Sequence, residues 1–258
     1  MTLLSLRPSR ALLSTLLSIA TLVVVASPLV AGSATLVVDE TNAEWGFLSE
    51  NVEVGFRAFG AGPSGVPIGE SSVHFQVDGQ AREILGTANY NGTLLSTIDT
   101  LSYSTYRFSP DSGVLAISLQ FNVDYDTTDM DESWQGRLVF EPYLDGSMIT
   151  PGVWQTWDAL AGLWWSSGAP GNTVCPQHDP CTWAEVQSSF PQAGVHATLG
   201  AMLLKAGGPW SDFYGAVDNL TIGFGGVDTT FDFESANLLF FDGFEIGNTS
   251  AWTTSTEP

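Results

Sequence analysis

The strongest constraint in this chain is an alternation with a period of two. Between Ser72 and Val77, the residues Val73, Phe75 and Val77 fall on one side, and His74, Gln76 and then Asp78 on the other. An extended strand sends successive side chains to opposite faces, so such a run lays one face on a core and the other in water. The pattern returns at Val52–Phe59, Leu101–Phe108, Val114–Val123, Gly136–Tyr143, Met148–Trp154, Thr198–Lys205, Gly215–Gly223 and Val227–Phe233. Asp111-Ser112-Gly113 and Asp145-Gly146 supply turns between runs. There is no βαβ rhythm and no internal repeat. The reading is all-β: a two-sheet antiparallel β-sandwich of jelly-roll type. One short helix interrupts it. Thr182-Trp183-Ala184-Glu185 is a capping box, and the helix runs to about Ser189, before Pro191.

The chain can fill such a sandwich. Hydrophobic residues make up 44 %, with 9 Trp and 15 Phe among 258 residues. That excludes a disordered chain. The expected organisation is an export signal over 1–33, a β-sandwich domain over 35–234, and a C-terminal appendage over 235–258.

The signal rests on order. Arg7 and Arg10 precede an apolar stretch, Ala11–Val25, and small residues follow at Ala26, Ser27, Ala31, Gly32 and Ser33. Charge, apolar core and small-residue exit form the layout of a cleaved signal. The stretch through Val30 is also close to the roughly 20 residues that span a bilayer, so an uncleaved anchor is the competing reading. Cleavage implies a secreted, periplasmic or cell-surface protein that does not contact the membrane afterwards.

Charge narrows the partners. The 7 basic residues fall to 5 once Arg7 and Arg10 leave, against 28 acidic ones, a formal net charge of −23. Such a surface repels nucleic acid and anionic lipid, and suits cations or neutral sugars. Cys175 and Cys181, the two cysteines, are expected to close one small disulfide loop in an oxidising compartment. A loop this short removes little unfolded-state entropy, so it shapes the chain locally.

No nucleophile elbow, zinc-protease helix or phosphate-binding glycine loop is present, and no catalytic residue is assigned. His74, His178 and His196 are scattered. The carboxylates of Asp124-Tyr125-Asp126, with Asp129, Asp131 and Glu132, gather at a strand end. Hard cations take several converging oxygens, so Asp124 and Asp126 suit calcium better than glycoside hydrolysis, with a solvated acidic loop as the competing reading. Tryptophans concentrate at Trp154-Gln-Thr-Trp157 and Leu163-Trp164-Trp165. An exposed indole offers an apolar face and a polar edge to a sugar ring. Trp157, Trp164 and Trp165 are the candidate ligand platform, against the competing reading that these rings fill the sandwich core and cover the helix, and Trp154 is expected in the core. Trp164 and Trp165 are adjacent, so they point to opposite faces.

Gly215-Ala-Val-Asp-Asn-Leu-Thr-Ile222 resembles the closing strand of jelly-roll carbohydrate-binding modules and other concanavalin-like sandwiches. The resemblance implies that Asp218 helps hold a structural calcium. Leu101–Tyr106, Trp134–Tyr143, Trp154–Trp157 and Lys205–Trp210 resemble a group of bacterial exported proteins without assigned activity. Asp242–Trp252 is similar to a segment that recurs near the termini of secreted bacterial proteins. None of these resemblances implies catalysis. Three functions stand open: binding of a glycan or other extracellular surface ligand, a structural or adhesive role, and polysaccharide cleavage by an unrecognised carboxylate pair.

Overall fold

Alternating apolar residues become strands here because each run buries one side against a second sheet. The computed structural model describes residues 32–50, 55–110, 113–208 and 210–236. The export segment and anchor reading over 1–31, and nearly all of the C-terminal appendage, lie outside the described residues. Along the chain the strands are β1 (Gly32–Val38), β2 (Trp45–Ser49), β3 (Phe56–Ala61), β4 (Ser71–Val77), β5 (Arg82–Thr87), β6 (Ile98–Arg107), β7 (Ser118–Asp124), β8 (Arg137–Phe140), β9 (Trp154–Asp158), β10 (Leu163–Ser166), β11 (Cys181–Thr182), β12 (Gly194–Val195), β13 (Ala201–Gly207), β14 (Phe213–Phe224) and β15 (Val227–Phe233). The helix α1 (Trp183–Ser189) lies between β11 and β12.

The strands form two sheets, giving a β-sandwich of jelly-roll type with one short helix. The first sheet runs β1–β15–β14, with β6 and β9 on the far side of β14. The near side of β14 changes partner halfway. Its first residues, Phe213–Val217, pair with β4, which is followed by β3; its last, Leu220–Phe224, pair with β15. A bulge marks the change between Asp218 and Thr221, and Asn219 there takes a positive φ of 56°. The second sheet runs β2–β5–β13–β7–β8–β10–β11, with β12 beside the end of β7. Most pairs are antiparallel; β1 departs from the expected pattern and lies parallel to β15.

The inner faces meet in an aromatic core. Phe75, Tyr103, Phe121, Phe140, Trp164, Phe213 and Phe233 are all fully buried. Each such ring contributes roughly 1.5–3 kcal/mol relative to exposure. Tyr103 donates its hydroxyl to the Ile117 carbonyl at 2.8 Å, so the one polar atom it carries inward is satisfied.

Some elements depart from the sequence reading. β5 and β10 were not among the alternating runs. In β5 the neighbours Ile84 and Leu85 are both buried, so the strand shows no alternation to find. The strand expected at Met148–Trp154 begins instead at Trp154, and Met148 is exposed. Asp145-Gly146 closes a 3-10 turn, with Gly146 left-handed at φ 86°. The helix forms as read. Thr182 Oγ1 accepts the Glu185 amide at 3.2 Å, and Glu185 accepts the Thr182 amide at 2.8 Å. The Cys175–Cys181 disulfide closes the loop just before it. Trp183 then packs on Trp164, with ring centroids 5.1 Å apart, which ties the excursion to the core. No helix among the described residues is long and apolar enough to cross a membrane.

Among the described residues an ion pair reaches between the sheets. Arg57 of β3 meets Glu83 of β5, whose fully buried carboxylate also accepts the Gly55 amide at 2.7 Å. Removing Arg57 strands a buried charge. Arg57→Ala should therefore cost about 3 kcal/mol, roughly 10 °C in Tm, in a domain of this size. The double change Arg57→Met with Glu83→Leu should recover much of that loss. An unchanged melting curve for the single variant would show that the pair contributes nothing.

Candidate functional site

The outer face of the second sheet holds a cleft of about 820 Å³. That volume falls within the ordinary range for small-ligand sites. The strands place its residues by register. Gln120 of β7 faces Val139 of β8 and Leu203 of β13; Val139 faces Trp165 of β10; Lys205 of β13 faces Ile84 of β5. Ile84, Val139 and Leu203 are buried there, outside the core between the sheets, and form an apolar floor. Longer side chains rise over it.

At one end stands Trp165, half-buried. Its indole Nε1 donates to Glu141 Oε2 at 2.9 Å. The same oxygen accepts from Gln177 at 3.2 Å and from the Tyr143 hydroxyl at 3.3 Å. Three donors on one buried carboxylate oxygen hold the indole in place. Burial and the Glu141 charge push the Tyr143 hydroxyl up to about 12, so it stays a donor.

The middle is cationic. Arg137 donates to Asn122 at 2.9 Å and to Gln120 at 3.4 Å, and it pairs with Glu50. Glu50 also takes Lys205 at 2.7 Å. Burial alone would raise Glu50, but Arg137 and Lys205 overcome it and hold the carboxyl at about 2. Burial lowers Lys205, and the Glu50 bond works against that shift. The Arg137 guanidinium lies 5.7 Å from the Trp134 ring centroid. Trp134 is 52 % exposed, and it also borders an adjoining depression of about 620 Å³ lined by Tyr125, Asp126, Asp129, Asp131 and Phe190.

The residues read from sequence divide. Trp165 lines the cleft. Trp164 is 0 % exposed, stacks near Phe121, and donates to the Ala159 carbonyl at 2.8 Å. Trp157 also lies in the core, its indole donating to Thr105 Oγ1 at 2.8 Å. Neither ring has a free face for a sugar. β9 pairs with β6 so that Trp157 opposes inward Tyr103, while Trp154 opposes outward Tyr106. Trp154 therefore leaves the core expected of it. It joins Tyr106, Phe108, Tyr214 and His74 in a row of rings on the outer face of the first sheet. Arg82, Arg137, Lys205, Glu50, Glu141 and Trp134 were missed. Their signal was scarcity: three of the five basic residues beyond Arg10 meet in this one cleft.

The acidic residues separate too. Asp124 ends β7 in the second sheet, Asp126 follows in the turn after it, and Asp218 belongs to β14 in the first sheet. Asp124 Oδ1 accepts the Asp126 amide at 2.9 Å, and Asp126 accepts the Thr128 amide at 3.1 Å. These carboxylates brace their own turns. Asp218 is fully buried where β14 changes neighbours. Its Oδ1 accepts the Phe233 amide at 3.1 Å, while its Oδ2 and Asp232 Oδ1 are buried without a hydrogen-bond partner. Burial raises Asp218 to about 7; burial and Glu234 raise Asp232 to about 6. Gly69 packs against Asp232 and Glu234, and a Cβ there would stand 2.6 Å from Asp232 Oδ1. Among the described residues no group of three or more His, Cys, Asp or Glu side chains is placed to hold a metal ion.

Fold and cleft together define a β-sandwich with a ligand-sized recess on one sheet. No family model matches the chain, and no curated protein sequence does. Among solved structures, a carbohydrate-binding module in complex with β-1,4-galactotriose aligns over 70 % of this chain and 89 % of its own, with 8 % identity and a TM-score of 0.33. A structure described for the promiscuous specificity of carbohydrate-binding modules from the β-sandwich superfamily aligns over 70 % and 57 %, with 8 % identity and a TM-score of 0.34. Neither likeness transfers a residue role.

The Glu50 bridge has a pH signature. Its carboxyl falls from 4.5 to about 2 on folding, so the charged form is the one the fold favours. That stabilisation is complete above about pH 4.5 and is lost as pH falls toward 2. Glu50→Gln should flatten the fall in Tm between about pH 5 and pH 2 relative to the wild type. Parallel curves would mean that the bridge does not form in solution.

Proposed function

We propose that this is a secreted, non-catalytic β-sandwich protein that binds a glycan in the cleft of its second sheet. The observation that carries the reading is Trp165. Its indole is locked by Glu141, it is left partly open, and it adjoins Gln120, Gln177 and Arg137. A sugar ring needs this combination of one aromatic surface and several fixed hydrogen-bonding groups. A purely structural protein has no need for a half-open Trp165 and a half-exposed Trp134 beside buried polar groups.

The chemistry of the cleft disfavours hydrolysis. A glycosidase acid must carry a proton near neutral pH. Glu50 is ionised down to about 2, and Glu141 accepts three donors. The carboxyls raised toward neutrality, Asp218 and Asp232, belong to the first sheet and line no part of the cleft. Export is supported by the amino-terminal charge pattern and by the disulfide, which suits an oxidising compartment.

The reading also includes a structural calcium at Asp218. Two buried, unpartnered carboxylate oxygens, Asp218 Oδ2 and Asp232 Oδ1, are the side-chain ligands such an ion would take, with backbone oxygens and water needed to complete its shell. The ion would neutralise charge where β4 and β15 meet β14, and would take no part in glycan binding.

Trp165→Ala should abolish retention on a glycan array, a loss of about 2 kcal/mol or roughly 30-fold, with Tm nearly unchanged. Retention kept while Tm falls would make Trp165 a packing residue. For calcium, chelation should lower the Tm of the wild type and leave that of Asp218→Asn unchanged. A wild type indifferent to chelation removes the ion from the account.

A further inference from the structure

We infer that the cleft takes a glycan whose chain is mostly neutral but carries isolated carboxylate sugars, with Arg82 as the carboxylate receptor. The inference rests on the glycan-binding reading above and names the class of glycan.

The first observation is the distribution of charge. Beyond Arg10 the chain has 28 acidic residues and five basic ones: Arg57, Arg82, Arg107, Arg137 and Lys205. Two are spent within the fold. Arg57 meets the buried Glu83, and Arg107 donates to the carbonyls of Gly113 and Ile149. The other three line the cleft, where the only acidic lining residues are Glu50 and Glu141. An excess of cation in one recess of so acidic a molecule is a local device, because solubility needs none of it.

The second observation is that one of these cations lacks a partner. Arg137 and Lys205 share Glu50. Glu141 is turned toward Trp165, Gln177 and Tyr143. Among the described residues the Arg82 guanidinium makes no hydrogen bond or ion pair. Lys205 feels both Arg82 and Arg137 as like charges. An incoming carboxylate at Arg82 would relieve that repulsion and accept the two parallel bonds a guanidinium offers.

The third observation is that the Arg82 side chain passes close against a glycine turn. Its side chain crosses the Gly207-Gly208 turn at the end of β13. A Cβ on Gly208, whose φ is 79°, would stand 2.4 Å from Arg82 Nε. Only glycine leaves that passage open. Trp210, just past the turn, also lines the cleft.

The rest of the surface sets the spacing of the ligand's charges. A dense polyanion would press further carboxylates against a strongly acidic protein beyond the cleft, within the roughly 10 Å over which charge acts at 0.1 M salt. One uronate among neutral sugars escapes that repulsion. A neutral ring of the chain can lie on Trp165, while a uronate further along it presents its carboxylate to Arg82, which β8, β7 and β13 separate from Trp165.

The test measures binding of the full chain to glucuronoxylan, hyaluronan and other uronate glycans, each beside its carboxyl-reduced form, with polygalacturonate as the dense polyanion and a neutral glycan panel. For at least one sparsely charged glycan, the native form should bind tenfold or more tightly than the reduced form, a difference of about 1.4 kcal/mol. Arg82→Gln should bring the native form down to the level of the reduced one and leave the reduced form's affinity unchanged. Equal binding of native and reduced forms, insensitive to Arg82→Gln, overturns the inference and leaves the glycan reading standing. Tightest binding to polygalacturonate overturns the sparse-charge claim. Retention of no glycan, acidic or neutral, overturns both the inference and the reading beneath it.

Discussion

The structure depends on the burial of one face of every strand against the opposite sheet. Trp164 and Trp165 show what this requires. They are consecutive in β10, and an extended backbone cannot bury both on one side. Trp164 goes inward, beside Phe121, Phe140 and Trp183. Trp165 must then stand on the outer face, over Val139, its partner in β8. The outward position of the proposed binding residue is set by the packing of its neighbour.

The same coupling extends along the sheet. Leu119 and Phe121 face the core, so Ser118, Gln120 and Asn122 line the outside of β7. Leu138 and Phe140 face the core, so Arg137, Val139 and Glu141 take the outside of β8. The cleft is therefore the outward half of the pattern whose inward half is the core. Apart from Arg82, its charged side chains hold one another before any ligand arrives, so little ordering of them remains to be done on binding.

Period two made the sandwich and most of its strands legible, along with the capping box and the disulfide. The misses have physical causes. β5 is buried on both faces, so it carries no alternation. Trp154 and Trp157 exchanged expected environments because their facing depends on the register of β9 with β6, which no local pattern encodes. The cleft itself was legible only at Trp165. Its cations come from β5, β8 and β13, far apart in sequence, and only the order of strands in the second sheet brings them together. Composition did carry a trace of them, since basic residues so rare in an acidic chain tend to be spent where they act.

In the proposed mode of binding Trp165 faces the ligand while Trp164 and Trp157 face the core. Indole NMR reports this most directly, because each Trp Nε1–H gives its own signal. On titration with a bound glycan, the signals of Trp165 and Trp134 should shift together, while those of Trp164 and Trp157 stay fixed. A shift confined to Trp154, on the outer face of the first sheet, would place the ligand on the wrong side of the sandwich and contradict the account.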